Sequence, residues 1–305
     1  MDLTRDIVYR GYTLNDENIQ STVTPDRTSG AGITGCVVNG VDVGDVDVIQ
    51  YREPKSQQDG IDVGEPQLGS RRIHMSGTLY ASSRLRLYDE LQDLRAALNP
   101  RLAYLDEPAD KGYQPLYFSV PTLNTTDWPT GAKDMLVNVL PYRFRYTILR
   151  DNIGGDDDEY AGAISWEATF MARDPRFYAD AFQTEPFTGS ESGTLTNRGD
   201  FPTNVNILIY CNASSGTVQF SVGGALMTIT IPASTNSRYF RYKGDDRILT
   251  VQDPYDTGSE ELRMDLLTLD KHPQLVTGDS SYIITKGGAV TLNSGTILWY
   301  WEAFA

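Results

Sequence analysis

From residue 196 to the C-terminus the chain reads as a close succession of short alternating segments, and this pattern limits the fold more than any other feature. Gly, Asn, Asp and Pro, which favour turns, separate the segments. Alternation at a period of two is typical of strands with one buried face. We therefore expect an all-β sandwich or jelly roll, with these strands: NILIY, GTVQFSV, MTITIP, RYFRY, RILTVQ, ELRMDLL, YIITKG, GAVTLN and TILWYW.

The first part of the chain is also rich in strand patterns. The stretch CVVNGVDVGDVDVIQYRE alternates valine with Asp42, Asp45 and Asp47, which predicts a strand with a solvated acidic face. RRIHMSGTLYA, MLVNVLPYRFRYTIL and AISWEATFMA predict three more strands. In the last of these, Ile164, Trp166, Ala168 and Phe170 share one face.

One amphipathic helix is predicted at about residues 83–98. Leu87, Leu91, Leu94 and Leu98 follow one another at spacings of four, three and four, which places them on one helical face. Ser82 or Ser83 can cap the start, and Asn99-Pro100 is expected to stop the helix. A helix with a single leucine stripe in a β-rich chain should pack across a sheet or a barrel mouth. Residues 101–128, which contain several prolines, are expected to be irregular.

The polar stretch ADAFQTEPFTGSESG predicts a linker, and therefore two domains at residues 1–181 and 182–305. Just beyond it, Arg198-Gly199-Asp200 spells an adhesion tripeptide. Asn197 and Gly199 tolerate positive φ, and Phe201-Pro202 favours extended backbone. These residues indicate a turn that enters a strand, so replacing Arg198 or Asp200 is expected to change stability only slightly.

Residues for catalysis or metal binding are sparse. His74 and His272 have no neighbouring Cys or His at ligand spacing, and Cys36 and Cys211 are isolated thiols. No GxSxG elbow or phosphate-binding glycine loop is present, so we expect no enzyme activity, cofactor or metal. The net charge of -15 argues against nucleic-acid binding through phosphates. No stretch is apolar for the roughly 20 residues of a membrane span.

Two groups of residues, in their order along the chain, resemble the distal tail proteins of long-tailed siphophages. The first comprises Trp166, Phe170, Asp174, Pro175 and Tyr178 at the end of a strand. The second opens the next β domain, and its residues are Thr196, Asn197, Gly199, Asp200, Pro202 and Thr203. GEPQLGSRRIHMSGTLYA followed by the helix matches the first half of that family as well. The resemblance implies a mainly β chain, with an N-terminal split barrel carrying one helix and a C-terminal galectin-like sandwich.

The resemblance also implies a structural role. Members of that family form a hexameric ring at the viral tail tip, under the tail tube, and their outer domains hold receptor-binding proteins or tail fibres. We therefore expect a homohexamer located in the virion that lets DNA pass. The acidic residues Asp42, Asp45 and Asp47 are candidates to face the lumen. The alternative function is a carbohydrate-binding module, for which Trp299 and Trp301 could stack on sugar rings.

Overall fold

The structure is a computed structural model that describes most of the chain and divides it into two compact units, Met1–Asp180 and Ala181–Ala305. No helix in the described part is long and apolar enough to cross a membrane. The described residues are 1, 5–16, 34–46, 48–49, 52–54, 61–63, 67–126, 128–151, 162–211, 215–234, 236–244, 246–252, 260–269, 271–293 and 297–304.

The first unit is built on one nearly closed, barrel-like antiparallel sheet. The strands of this unit are β1 (Ile7–Tyr9), β2 (Tyr12–Asn15), β3 (Gly35–Val43), β4 (Val48–Ile49), β5 (Arg52–Pro54), β6 (Ile61–Val63), β7 (Gln67–Leu68), β8 (Arg71–Ala81), β9 (Gln114–Pro121), β10 (Ala132–Asp151), β11 (Gly162–Ala172) and β12 (Phe177–Ala179). The strands of the main sheet follow the order β2-β1-β9-β10-β11-β8-β3, with β12 beside β10. The pairs β4–β7 and β5–β6 form two separate two-stranded sheets.

A buried asparagine links the two ends of this sheet. Asn15 on β2 is fully buried, and its Oδ1 accepts a hydrogen bond of 2.9 Å from the Val38 amide on β3. Its Nδ2 donates to the Arg5 carbonyl at 2.6 Å. A buried amide that lost these partners would carry the full desolvation penalty. Asn15 therefore holds the first and last strands of the sheet together, which nearly closes the barrel.

The core of the first unit centres on Trp166, as the alternation predicts. Ile164, Trp166, Ala168 and Phe170 on β11 are all buried, so that prediction is confirmed. Trp166 lies opposite Gly77 of β8, where an added Cβ would come within 2.5 Å of the indole ring and 2.3 Å of the Val37 carbonyl oxygen. The indole therefore occupies the space that a side chain at position 77 would need.

The predicted helix is confirmed as α1 (Arg84–Ala97), with its leucine stripe buried. Ser83 caps its start by accepting from the Arg86 amide at 3.3 Å. At the other end, the Arg10 guanidinium donates to the carbonyls of Ala96 and Ala97 at 2.9 and 3.0 Å. Arg10 thereby adds donors to carbonyls of the last turn, which lack the i+4 amide partner of a helix interior.

The expectation that residues 101–128 are irregular is wrong for much of this range. A second helix, α2 (Pro100–Asp106), follows α1 directly, and β9 lies further along. Asn99 caps α2 through its side chain, and Pro100 occupies the first turn, where the missing amide hydrogen is no loss. Asn99-Pro100 therefore ends one helix and begins another.

The aspartate of the resemblance motif organises the corner after β11. The Asp174 carboxylate accepts from the Arg176 amide and guanidinium and, at 2.5 Å, from the Tyr178 hydroxyl. Burial alone would raise the pKa of Asp174, but these hydrogen bonds outweigh it and lower the pKa. The ionised carboxylate thus fixes the turn that leads into β12.

The acidic strand predicted from the Val/Asp alternation ends earlier than expected. β3 ends at Val43, and residues 44–46 lie outside any strand, with the Gly44 amide donating to the Arg72 carbonyl. Asp42 and Asp45 are exposed, and Val43 is also 36% exposed, so its side chain does not belong to a buried face. Asp47 lies outside the described residues.

The second unit is a sandwich of two antiparallel sheets. The strands of this unit are β13 (Gln183–Pro186), β14 (Glu191–Asn197), β15 (Thr203–Cys211), β16 (Gly216–Val222), β17 (Ala225–Ile231), β18 (Arg238–Lys243), β19 (Ile248–Gln252), β20 (Glu261–Leu262), β21 (Leu267–Leu269), β22 (Gln274–Leu275), β23 (Gly278–Gly288), β24 (Ile297–Tyr300) and β25 (Ala303–Phe304), with a 3₁₀ turn at Met264–Leu266. One sheet has the order β13-β24-β15-β18-β19-β20, with β22 beside β15, and the other sheet has the order β14-β23-β16-β17-β21.

Most strands predicted for this unit are confirmed, and the inward residues of both sheets form one core. Three predictions are wrong. GAVTLN is not a strand, since beyond Gly288 only Leu292 makes an isolated bridge to Cys211. ELRMDLL is not one strand, because the 3₁₀ turn separates β20 from β21. The stretch read as a linker contains β13 and the start of β14, and Phe187 between them is 2% exposed in the core. Its polar residues alternate on strands with a solvated face, which explains why composition alone suggested a loop.

The Arg-Gly-Asp stretch is a turn tied to the end of the chain. Arg198 forms two side-chain hydrogen bonds of 2.8 Å with Glu302, whose side chain is fully buried. The amides of Asp200 and Phe201 donate to the Ala303 carbonyl. An added Cβ at Gly199 would lie 2.4 Å from that same oxygen. The glycine therefore permits close backbone approach, and the arginine compensates a buried carboxylate.

A charge in the leucine stripe should prevent the first unit from folding. Leu91 is 4% exposed, so Leu91→Asp buries an unpaired carboxylate and is expected to remove several kcal/mol of the roughly 5–15 that stabilise a domain. Leu85 lies on the same helix at 74% exposure, so Leu85→Asp is the matched control. Thermal denaturation should show a large loss for the first variant only. Equal melting temperatures would contradict burial of the stripe.

The buried pair at the turn leads us to expect different effects from substitutions at Arg198 and Asp200, whereas the sequence alone predicts mild effects at both. Arg198→Ala leaves the Glu302 carboxylate uncompensated, and we expect a loss of about 3–5 kcal/mol in the free energy of unfolding. Asp200→Ala removes an exposed carboxylate two residues away and should change stability by less than about 0.5 kcal/mol. Chemical denaturation of both variants tests the difference. Similar stabilities would show that the Arg198–Glu302 pair contributes little.

Candidate assembly surface

Among the described residues, the second half of β10 is paired on one side only. β9 pairs with β10 from Ala132 to Val139, whereas β11 pairs with it from Val139 to Asp151. Within the described residues, no other strand hydrogen-bonds to β10 beyond Val139. We call residues 142–149 the β10 edge. A long strand edge with open amide and carbonyl groups is a template for pairing with another chain.

Aromatic and aliphatic side chains line the core-side face of this edge. Phe144, Tyr146 and Ile148 lie opposite the buried β11 residues Ala168, Trp166 and Ile164, respectively, so they project to the same side of the sheet. Even so, Tyr146 and Ile148 are each 42% exposed. The Phe144 and Tyr146 rings are stacked, with their centroids 6.0 Å apart. The core face of the sheet thus continues into a row of rings that the described chain covers only in part.

Further apolar side chains enlarge the surface around this row. Tyr142 is 67% exposed and Leu149 is 61% exposed. The Arg95 guanidinium of α1 lies 5.9 Å from the Tyr146 ring centroid, within cation–π range. Exposed apolar side chains grouped along one strand mark interaction sites more often than isolated exposed residues do. The β10 edge is therefore the strongest candidate assembly surface in the first unit.

The other face of the same strands is polar and mixed in charge. Asp42, His74, Thr169 and Arg143 lie opposite one another in register across β3, β8, β11 and β10. His74 Nδ1 lies 3.2 Å from Thr169 Oγ1. Asp42 therefore shares its sheet face with an arginine and a histidine. Burial lowers the pKa of the Arg71 guanidinium, and the nearby Asp45 carboxylate partly offsets this shift.

The two candidate sugar-stacking tryptophans occupy different positions. Trp299 lies within β24, opposite Thr184 of β13 and Asn206 of β15, and is half-buried. Trp301 follows the end of that strand and packs edge-on against Phe182, with ring centroids 5.4 Å apart. Trp299 thus lies within the strand and Trp301 just beyond its end, and the two rings have different neighbours.

The described residues contain no arrangement that indicates catalysis. No group of three His, Cys, Asp or Glu residues in them could hold a metal ion. His272 Nδ1 lies 2.8 Å from the Tyr242 hydroxyl, and burial lowers its pKa. Burial also raises the pKa of both Cys36 and Cys211, so neither is an activated nucleophile.

An open cleft of about 290 Å³ lies beside β1, β9 and β10. Arg5, Asp6, Asp134 and Asp180 contribute charged groups to its lining. Asp134 accepts a hydrogen bond from Ser119 Oγ at 2.5 Å, and its side chain is 51% exposed. Exposed carboxylates of this kind are ordinary surface groups, so the cleft lacks the desolvated acid or base that a catalytic site requires.

Neither a protein-family model nor a curated protein matches this sequence, but solved structures match its fold. The SPP1 Dit protein, described as a paradigm of the hub adsorption apparatus in phages that infect Gram-positive bacteria, is 11% identical, with a TM-score of 0.54 over 98% of this chain and 99% of that one. A chain of the phage P2 baseplate in its activated conformation with Ca is 9% identical, with a TM-score of 0.39 over 86% and 90% of the two chains. The first match shows that this chain shares the fold of a phage Dit protein along nearly its whole length, which confirms the predicted mainly β fold class.

Proposed function

We propose that this protein is a structural tail-tip hub of a tailed virus, in which six copies form a ring that joins the tail tube to the receptor-binding apparatus. The observation that carries the proposal is the β10 edge, a half-exposed aromatic row on a strand with an open side. The shared fold with SPP1 Dit and the two residue groups of the sequence resemblance support it. The proposed role requires no turnover of a substrate.

The position of the edge favours a ring over a two-fold dimer. β2 contacts β3 through Cys36 and Val38, but residues 40–43 of β3 pair only with β8 among the described residues. This part of β3 is a second open edge, separated from β10 by β11 and β8. Contact between two different surfaces of a protomer is head-to-tail, and it closes into a ring when the rotation permits. Such a contact would extend the sheet from one copy to the next and cover the row of rings. The number six rests on the family resemblance.

In this assembly the first unit forms the ring, and the second unit contacts tail fibres or receptor-binding proteins. The central passage would let DNA through, with Asp42 and Asp45 on its wall. Because Asp42 shares its face with His74 and Arg143, that wall is mixed in charge rather than strongly acidic. A wall without a basic excess still lacks the groups that hold DNA phosphates.

Charges placed in the aromatic row should break the ring without unfolding the protein. The double variant Tyr146→Asp, Ile148→Asp would bury two carboxylates in each contact, at several kcal/mol. We expect association to weaken by more than about a hundredfold. Both side chains are already 42% exposed, so the melting temperature of the separated protomer should change little. Size-exclusion chromatography with light scattering gives the mass of the assembly.

The matched control is Leu123→Asp, since Leu123 is a fully exposed aliphatic residue in a loop of the same unit. This variant should assemble like the unmodified protein. Rings of normal mass in the double variant would place the interface elsewhere. A protein that stays monomeric at all concentrations would contradict the ring itself.

A further inference from the structure

The outer face of one sheet in the second unit carries a continuous layer of rings and planar polar groups. On β15 the core residues Ile207 and Ile209 alternate with Asn206, Leu208 and Tyr210, which point to the other face. Across β24, β15 and β18 the residues in register with these three add further members to this layer: Trp299, Tyr239 and Arg241. Apart from the buried Asn206, these side chains are half-buried.

Two tyrosines form a preassembled aromatic platform at one end of the layer. Tyr210 and Tyr239 lie directly opposite one another on β15 and β18. Their rings are 4.4 Å apart and within 14° of parallel. Rings held in this way lose little conformational freedom when a ligand stacks on them, so binding is not opposed by ordering of the site.

A fixed ion pair lies beside the tyrosines. The Arg241 guanidinium binds the Glu260 carboxylate, and both side chains are about one third exposed. The other oxygen of Glu260 accepts from Thr250 Oγ1 at 3.1 Å. A guanidinium presents five donors in a planar fork, and a carboxylate presents four acceptor sites. The pair therefore offers donors and acceptors in one plane.

Trp299 closes the other end of the layer. It lies opposite Asn206, whose Oδ1 is fixed by the Gly244 amide at 2.9 Å. Tyr210 is four residues further along β15 than Asn206, so the two ends of the layer are about 13 Å apart along the strand. That length accommodates several linked sugar rings rather than one.

We propose that this outer face, from Trp299 to the Tyr210–Tyr239 pair, binds an oligosaccharide. Sugar rings present C–H groups that stack on aromatic faces and hydroxyls that both donate and accept, and the layer supplies partners for each. A protein partner would require a larger apolar area than Leu208 and three rings provide. A nucleic acid would require unpaired cations, whereas Arg241 is already paired with Glu260. The site is independent of the proposed ring.

The test uses the full chain and linear hexasaccharides of glucose, galactose, N-acetylglucosamine and rhamnose. Saturation-transfer NMR and intrinsic tryptophan fluorescence report binding, which we expect for at least one probe at a dissociation constant of about 1 mM or tighter. Tyr239→Ala and Arg241→Ala should each weaken it at least tenfold. Arg241→Lys should also weaken it, because it keeps the charge but loses the planar fork.

Ile283→Ala is the control, because Ile283 is 52% exposed on β23, in the other sheet of the sandwich. It should bind like the unmodified protein. Thermal melting shows whether each variant is folded. If Tyr239→Ala unfolds, Tyr239→Phe is measured instead, and it should still bind because it keeps the ring. Failure of all four probes to bind would overturn the proposal. Binding that survives the Arg241 variants, or that is lost in Ile283→Ala, would overturn it as well.

Discussion

The pairing between β10 and β11 is the interaction on which the first unit depends. It brings Trp166 into the centre of the barrel, where Gly77 leaves room for the indole, and it extends β10 well beyond its contact with β9. The same ladder thus creates a packed core at one end and an open edge at the other. The residues opposite Trp166 and Ile164, which are Tyr146 and Ile148, are each 42% exposed. An edge of this kind can pair with another chain.

In the second unit, polar contacts fix details that the apolar core leaves open. The Glu302 carboxylate is fully buried, and Arg198 is its partner across the turn. Burial and the adjacent Glu302 carboxylate raise the pKa of Tyr300 to about 12, and its hydroxyl donates to the Thr196 carbonyl at 2.9 Å. Buried polar groups that must be paired tolerate few alternative arrangements. The end of the chain is therefore held against the turn that opens β15, and Arg198 is engaged within the protein.

Much of this fold follows from periodicity, and the failures have identifiable physical causes. The leucine stripe of α1 and the alternation of β11 are predictable because burial acts on every second residue of a strand or every third and fourth of a helix. The segment after Asn99-Pro100 was wrongly predicted to be irregular, because the same two residues that stop α1 also start α2. Arg198–Glu302 and Asn15 could not be predicted, because their partners are brought together by the tertiary fold. The open side of β10 is likewise a property of the sheet order, although YRFRYTIL does show alternating rings and arginines.

Electron cryo-microscopy of the purified protein would show both the number of copies and the surroundings of the β10 edge. We expect a closed ring of six copies in which residues 142–149 pair with a neighbouring protomer and the Tyr146 ring is covered. A ring in which this edge faces solvent, or particles that contain single copies only, would contradict it.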